Sequence, residues 1–266
     1  MPIFNGIIKG DNNSLVRKPT TAFAGIVGFP LTYAVLPYAQ PNNIVGWFNN
    51  GDGITTATGV SAWVDRISGV SLAQGTGALQ PTYTQQNQSL NNKAKAVFSS
   101  TQYLSAGDVY DLRTDGGLSL CYYGKILTSN TNRTLCGKVG LGTGAVSIAG
   151  EYKFQMSLTT IAGQFFDTSS KTTATAVFDP NNYYLYTLVI DRTNSLLSFY
   201  INEGLIGTVA ISNAGTDYNN GSPFIIGTSN SLQTMEMLEV LNYNVALSQS
   251  DVAQNSISIR GKYGQK

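Results

Sequence analysis

Histidine is absent from the chain. That removes Ser-His-Asp and Cys-His catalysis, carboxylate–histidine relays and histidine-containing zinc sites. Cysteine is nearly absent: Cys121 and Cys136 are too few for a four-cysteine zinc site or an iron–sulfur cluster. They read as lying on two neighbouring strands, where a disulfide is one option. Both sit inside apolar runs, 118–123 and 135–139, so two reduced, packed thiols are the favoured reading. Charge is scarce as well, at 12% of residues against the usual ~25%. Sixteen Lys and Arg against fifteen Asp and Glu leave a net charge of +1. Nothing in that balance attracts nucleic acid or an anionic membrane. Long apolar runs are missing too. Residues 22–39 are apolar but broken by Gly25, Gly28, Pro30 and Pro37, so no membrane insertion is expected. A secretory leader would be oddly placed behind some twenty mostly polar residues that include Asp11, Asn12 and Asn13.

What fills the space is Asn, Gln, Ser and Thr, with 28 Gly and 15 Tyr. Such a surface is neutral and rich in hydrogen-bonding groups, as in extracellular and virion β proteins. With 42% apolar residues over 266 positions, the chain can bury roughly 70–75% of its unfolded surface.

Three regions differ in texture. Residues 1–41 form an irregular arm in which Ile3, Phe4, Ile7, Ile8, Phe23 and Phe29 are the apolar candidates for assembly contacts. A neighbouring subunit is the favoured partner of this arm, and the body of its own domain is the alternative. Residues 42–266 read as one domain. Strands are predicted at 44–48, 62–65, 93–98, 103–106, 118–126, 133–139, 146–154, 161–166, 173–178, 184–191, 196–201, 205–211, 224–226 and 236–243, separated by short turns. The clearest hairpin turns at Asn202-Glu203-Gly204, with Asn202 and Gly204 supplying left-handed positions. Ser248-x-x-Asp251 has the form of a helix N-cap, Gly261 suits the C-terminal end, and Val252, Ile259 and Tyr263 share one face of the helix between them.

Chemistry is hard to find. Gly140-Leu-Gly-Thr-Gly144 opens no helix and reads as a strand-to-strand turn, not a phosphate loop. Four glutamates exist, and Glu236 and Glu239 are three apart on a predicted strand, which by simple alternation points them to opposite faces and argues against a glycosidase pair. Asp52, Asp65, Asp108, Asp111 and Asp115 lie in turns where Ca²⁺ could gather oxygen ligands, but their spacing matches no calcium loop. No cofactor is therefore expected, and calcium is left without a specific motif. Trp47 and Trp63 read as core, while Tyr122-Tyr123 and Tyr183-Tyr184 each turn one ring outward.

Three segments carry a resemblance. Ile44-Val-Gly-Trp47-Phe, followed by Asp52 and Val60-Ser-Ala-Trp63-Val-Asp65 and ending at Gln80-Pro-Thr-Tyr83, resembles the opening of concanavalin A-like (laminin G-like) jelly-roll domains. Residues 184–207 are similar to that family's central strand and Asn-Gly hairpin, and residues 237–248 with the capped helix to its closing strand and terminal helix. The resemblance implies an all-β, two-sheet antiparallel jelly-roll sandwich with an irregular N-terminal arm and a short C-terminal helix. It also implies a sugar- or protein-binding module of a kind frequent in phage tail, fibre and capsid-decoration proteins. The acidic E-x-D-x-E strand of the family's glucanases is missing. The expected function is that of a non-enzymatic virion protein, with other virion proteins and further copies of itself as partners. A homo-oligomer, with a trimer as one candidate symmetry, would present the head, and a surface glycan is a further candidate partner. A secreted carbohydrate-binding lectin module is the alternative.

Overall fold

The computed structural model describes residues 8–9, 15–16, 38–49, 51–113, 116–129, 133–140, 146–212, 218, 220–228 and 233–265. Two short strands, β1 (Ile8–Lys9) and β2 (Leu15–Val16), pair with each other. The body follows as β3 (Ile44–Asn49), β4 (Ile54–Thr56), β5 (Val60–Val64), β6 (Ser71–Ala73), β7 (Thr82–Asn87), β8 (Lys93–Ser100), β9 (Tyr103–Ser105), β10 (Gly117–Ser129), β11 (Arg133–Lys138), β12 (Tyr152–Ser157), β13 (Thr160–Phe166), β14 (Ser170–Thr172), β15 (Ala176–Val177), β16 (Tyr184–Asp191), β17 (Leu196–Ile201), β18 (Gly204–Ala210), β19 (Phe224–Gly227), β20 (Gln233–Tyr243) and helix α1 (Gln249–Lys262). The front sheet runs β18-β17-β16-β10-β20-β8-β7, and β3 shares the free edge of β20 with β8. The back sheet runs β14-β13-β12-β11-β19-β9-β6-β5-β4, with β15 beside β13. The neighbours in both sheets pair antiparallel. This is the jelly-roll sandwich expected from the sequence.

Alternation builds the core. Leu118, Leu120, Tyr122 and Ile126 of β10, Tyr186, Leu188 and Ile190 of β16, and Met235, Met237 and Val240 of β20 face inward. They meet Tyr152, Phe154 and Met156 of β12, Phe224 and Ile226 of β19, and Trp63 of β5. Each large side chain buried this way contributes about 1.5–3 kcal/mol. The other face of the front sheet is also apolar: Cys121, Tyr123, Leu185, Val189, Leu241 and Tyr243 pack beneath Val252, Ile259 and Tyr263 of α1. A sheet covered on both sides explains why residues 118–123 are apolar on both faces apart from the buried Ser119. The capping box predicted at Ser248 and Asp251 is present in full. The left-handed residue after the helix is Gly264 (φ +68°), whereas Gly261 lies within α1.

Several expectations change. Cys121 and Cys136 are free and buried, but they sit in different sheets, one under α1 and one in the sandwich core, because the chain crosses between layers after β10. Tyr122 and Tyr123 are both fully buried: Tyr123 does point out of the sandwich, and α1 covers it with Tyr263 at 5.2 Å between ring centroids. The strand predicted from residue 146 begins only at Tyr152, and residues 173–178 hold only the short β15. Asn202 takes a left-handed φ of +54° at the β17–β18 turn as predicted, but Gly204 is not among the left-handed residues. Ile3, Phe4, Ile7, Phe23 and Phe29 lie outside the described residues, as does the side chain of Ile8. The last arm residues are seated on the body: Ala39 N–H donates to Asn255 Oδ1 at 2.8 Å, and the Tyr38 hydroxyl to Glu239 Oε1 at 2.6 Å.

Candidate functional site

The register of β20 decides how its two glutamates are used. Tyr123 stands opposite Glu239 and Gly124 opposite Met237, so Leu238 is a β-bulge. The bulge falls where β20 passes from its pairing with β8 to its pairing with β3. The extra residue overturns the parity argument: Glu236 and Glu239 share the outer face of the front sheet. Their environments still keep them from acting as an acid–base pair. Glu239 is fully enclosed and accepts from the Tyr38 hydroxyl, Trp47 Nε1 (2.6 Å), Lys262 Nζ (2.8 Å) and the Tyr263 hydroxyl (3.1 Å). Burial, then the nearby Glu239 charge, pushes the Tyr38 phenol well above its ordinary value, so it stays a donor. Glu236 accepts from Lys95 at 2.6 Å and from the Tyr183 hydroxyl. Burial raises its pKa, and the bonds from Lys95 and Tyr183 more than offset this, holding it below the usual range.

The calcium candidates are committed in a similar way. Asp52 pairs with Arg66. Asp65 accepts from the backbone of Ile67, Ser68 and Val70 and so shapes its own turn. Asp108 and Asp111 close on the buried Lys138 ammonium, which also donates to the carbonyls of Val109 (3.3 Å) and Ser222 (2.9 Å). A lysine inside an oxygen cage supplies the positive charge there. Asp115 lies outside the described residues, as do residues 141–145 of the glycine-rich segment. Glu151 staples the neighbouring loop through Gly140, Ser147, Ile148 and Ser222. Among the described residues every aspartate and glutamate has a donor or a cation.

Trp63 is core as expected, whereas Trp47 is half-buried on the outer face. Its ring carries Lys262 at 5.5 Å and Arg66 at 5.6 Å from the centroid, with Tyr38 edge-on at 5.4 Å. These contacts dock the helix and leave Trp47 a structural ring. Tyr183 and Tyr184 are half-buried, and Lys125 sits 5.0 Å over the Tyr183 ring.

A depression of about 300 Å³ at one end of the sandwich is lined by Asn43, Arg113, Asn244 and Val245. The turn leading into β3 and the residues following β20 place the two asparagines side by side, with Asn244 N–H donating to the Asn43 carbonyl at 3.0 Å. The loop before β10 supplies Arg113. Two amides, a guanidinium and an apolar contact can hold a polyhydroxylated ligand through hydrogen bonds. None of these four residues stands out in the sequence, since Asn and Arg in turns look like ordinary solvated loop residues. Lys138 does carry a signal, as a charge inside the apolar run 135–139.

No family model matches the sequence, and no curated protein does. Solved structures do match. The binding domain of Paraclostridial Mosquitocidal Protein 1 superposes with a TM-score of 0.58 at 12% identity, over 81% of this chain and 52% of that one. The botulinum neurotoxin serotype G binding domain gives 0.59 at 14% identity, over 80% and 50%. The shared property is a jelly-roll sandwich. A Trypanosoma rangeli sialidase in complex with sialic acid gives 0.56 at 12%, over 84% of this chain and 33% of its own. This chain thus spans about half of each toxin domain and a third of the sialidase.

Proposed function

We propose that this chain is a non-catalytic recognition head that binds a surface glycan at the sandwich-end depression, and that a virion carries it as a homo-oligomer anchored through residues 1–41. The observation that carries the non-catalytic part is the commitment of each described carboxylate to a fixed donor or cation. A glycosidase of the two-carboxylate kind needs two acids facing open space with separated pKa values. Glycan recognition is supported by the amide-rich lining of the depression and by fold neighbours that are toxin binding domains or a protein complexed with sialic acid. Virion placement rests on the charge-poor surface and the apolar arm.

The test combines a glycan array with a reducing-end release assay on the folded full-length chain. Saturable binding to some glycan without release of reducing ends is expected. A flat array with correctly folded protein removes the glycan reading, and measurable hydrolysis removes the non-catalytic one. Light scattering of the full-length chain checks the carrier: a defined oligomer is expected, and a clean monomer favours the secreted lectin module instead.

A further inference from the structure

Two residues before Asn244, the fold buries an amide that finds no partner among the described residues. Asn242 is fully buried, and among those residues neither its Nδ2 nor its Oδ1 has a hydrogen-bond partner. Leaving such an amide unsatisfied costs about 1–3 kcal/mol for each lost bond. It stands opposite Leu120 on β10 and Gly46 on β3, on the inward face of β20. Alternation gives Asn244 the same face nearer the end of the sandwich, where it lines the depression with Asn43 and Arg113. Arg113 makes no ion pair among the described residues; its carbonyl accepts from Arg192 at 3.0 Å, which fixes the backbone beneath the side chain. Asn43, Arg113, Asn244 and Val245 include no acid.

We infer that this depression is a subsite for a carboxylate-bearing sugar: the Arg113 guanidinium takes the carboxylate, and Asn43 and Asn244 take ring hydroxyls. Asn242 lies further in on the same face of β20, its amide open to a water that bridges to the depression. The inference rests on the glycan-binding reading and narrows it to acidic sugars. Guanidinium and carboxylate match as planar, bidentate partners, and lysine would give a weaker geometric fit. A neutral sugar would leave Arg113 without a counter-charge, so acidic and neutral ligands separate here.

The probes are 3′-sialyllactose, trigalacturonic acid and lactose, titrated into the full-length chain by calorimetry beside Arg113→Gln and Asn244→Ala. Wild type is expected to bind at least one of the two acidic probes tenfold or more tightly than lactose. Arg113→Gln is expected to lose at least tenfold in affinity for that probe with an unchanged melting temperature, because the side chain is exposed. Asn244→Ala should weaken binding without restoring lactose. Equal binding of acidic and neutral probes, or full affinity in Arg113→Gln, overturns the acidic subsite while the glycan reading stands. Silence toward all three probes, with neutral glycans bound on the array, does the same. Silence toward the probes together with a flat array ends both.

Discussion

Replacing Glu239 with alanine removes the shared acceptor of Tyr38, Trp47, Lys262 and Tyr263. Tyr38 and Trp47 lose their acceptor, while Lys262 keeps Asn49 Oδ1 and Tyr263 the Leu238 carbonyl. With the Lys262 charge left without its carboxylate, the change is expected to cost about 3 kcal/mol, read as a lower urea midpoint at unchanged slope. Lys138→Met is expected to cost a similar amount, about 2–4 kcal/mol, since Asp108 and Asp111 would face each other without the ammonium. Because that ammonium already supplies the charge, adding calcium or a chelator to the wild type should leave the melting temperature in place. Lys153 gives a pH signature. Burial pushes its ammonium down to about 8 from 10.5, so between about pH 8 and 10 the unfolded chain holds a proton that the folded chain has released. Folding stability therefore gains from this group as pH rises through that window, and melting temperatures measured against Lys153→Met should diverge in favour of the wild type. A constant difference between the two across the window would show that the ammonium is not desolvated in the fold.

Among the elements, α1 and β20 carry most of the arrangement outside the sandwich core. Ser248→Ala breaks the capping box and is expected to cost about 1 kcal/mol by thermal or urea unfolding. The bulge at Leu238 allows a sharper test. Pairing on either side of it, Tyr123 with Glu239 and Gly124 with Met237, is consecutive on β10. Deleting Leu238 should therefore keep both flanks in register and lose only its own packing. Deleting Val240 should turn the rest of the strand inside out. Soluble yield and melting temperature of the two deletions should separate clearly. The bulge has no local signature in the sequence, since Met237-Leu238-Glu239 holds no glycine, proline or asparagine. Its one trace is that strict alternation would turn Glu239 into the core beside Met237. The strands and capped helix, by contrast, are legible because turns and the Ser248/Asp251 box punctuate the chain. What α1 covers is not, and for that reason the sequence alone leaves one ring of the Tyr122-Tyr123 pair facing solvent.

For the whole molecule, the two-sheet body follows from patterning, whereas the depression at its end is assembled from the segments around Asn43, Arg113 and Asn244, which no local pattern connects. A chain starting at Tyr38 should be more stable than one starting at Asn42 by about 1–2 kcal/mol, because the Tyr38–Glu239 and Ala39–Asn255 bonds are kept. Equal melting temperatures would mean that these residues only rest on the surface. The same contacts bring the two ends of the body together: Lys262 Nζ lies 3.4 Å from the Tyr38 hydroxyl, and Gln265 holds Ser89 one turn further on. A short linker from Gln265 to Tyr38 would close the body into a ring, and the exposed turn at Pro180–Asn181 would serve to reopen it. Such a circular permutant keeps its strand pairings, so the head can be inserted as a loop into a carrier and hang from it by two adjacent stems.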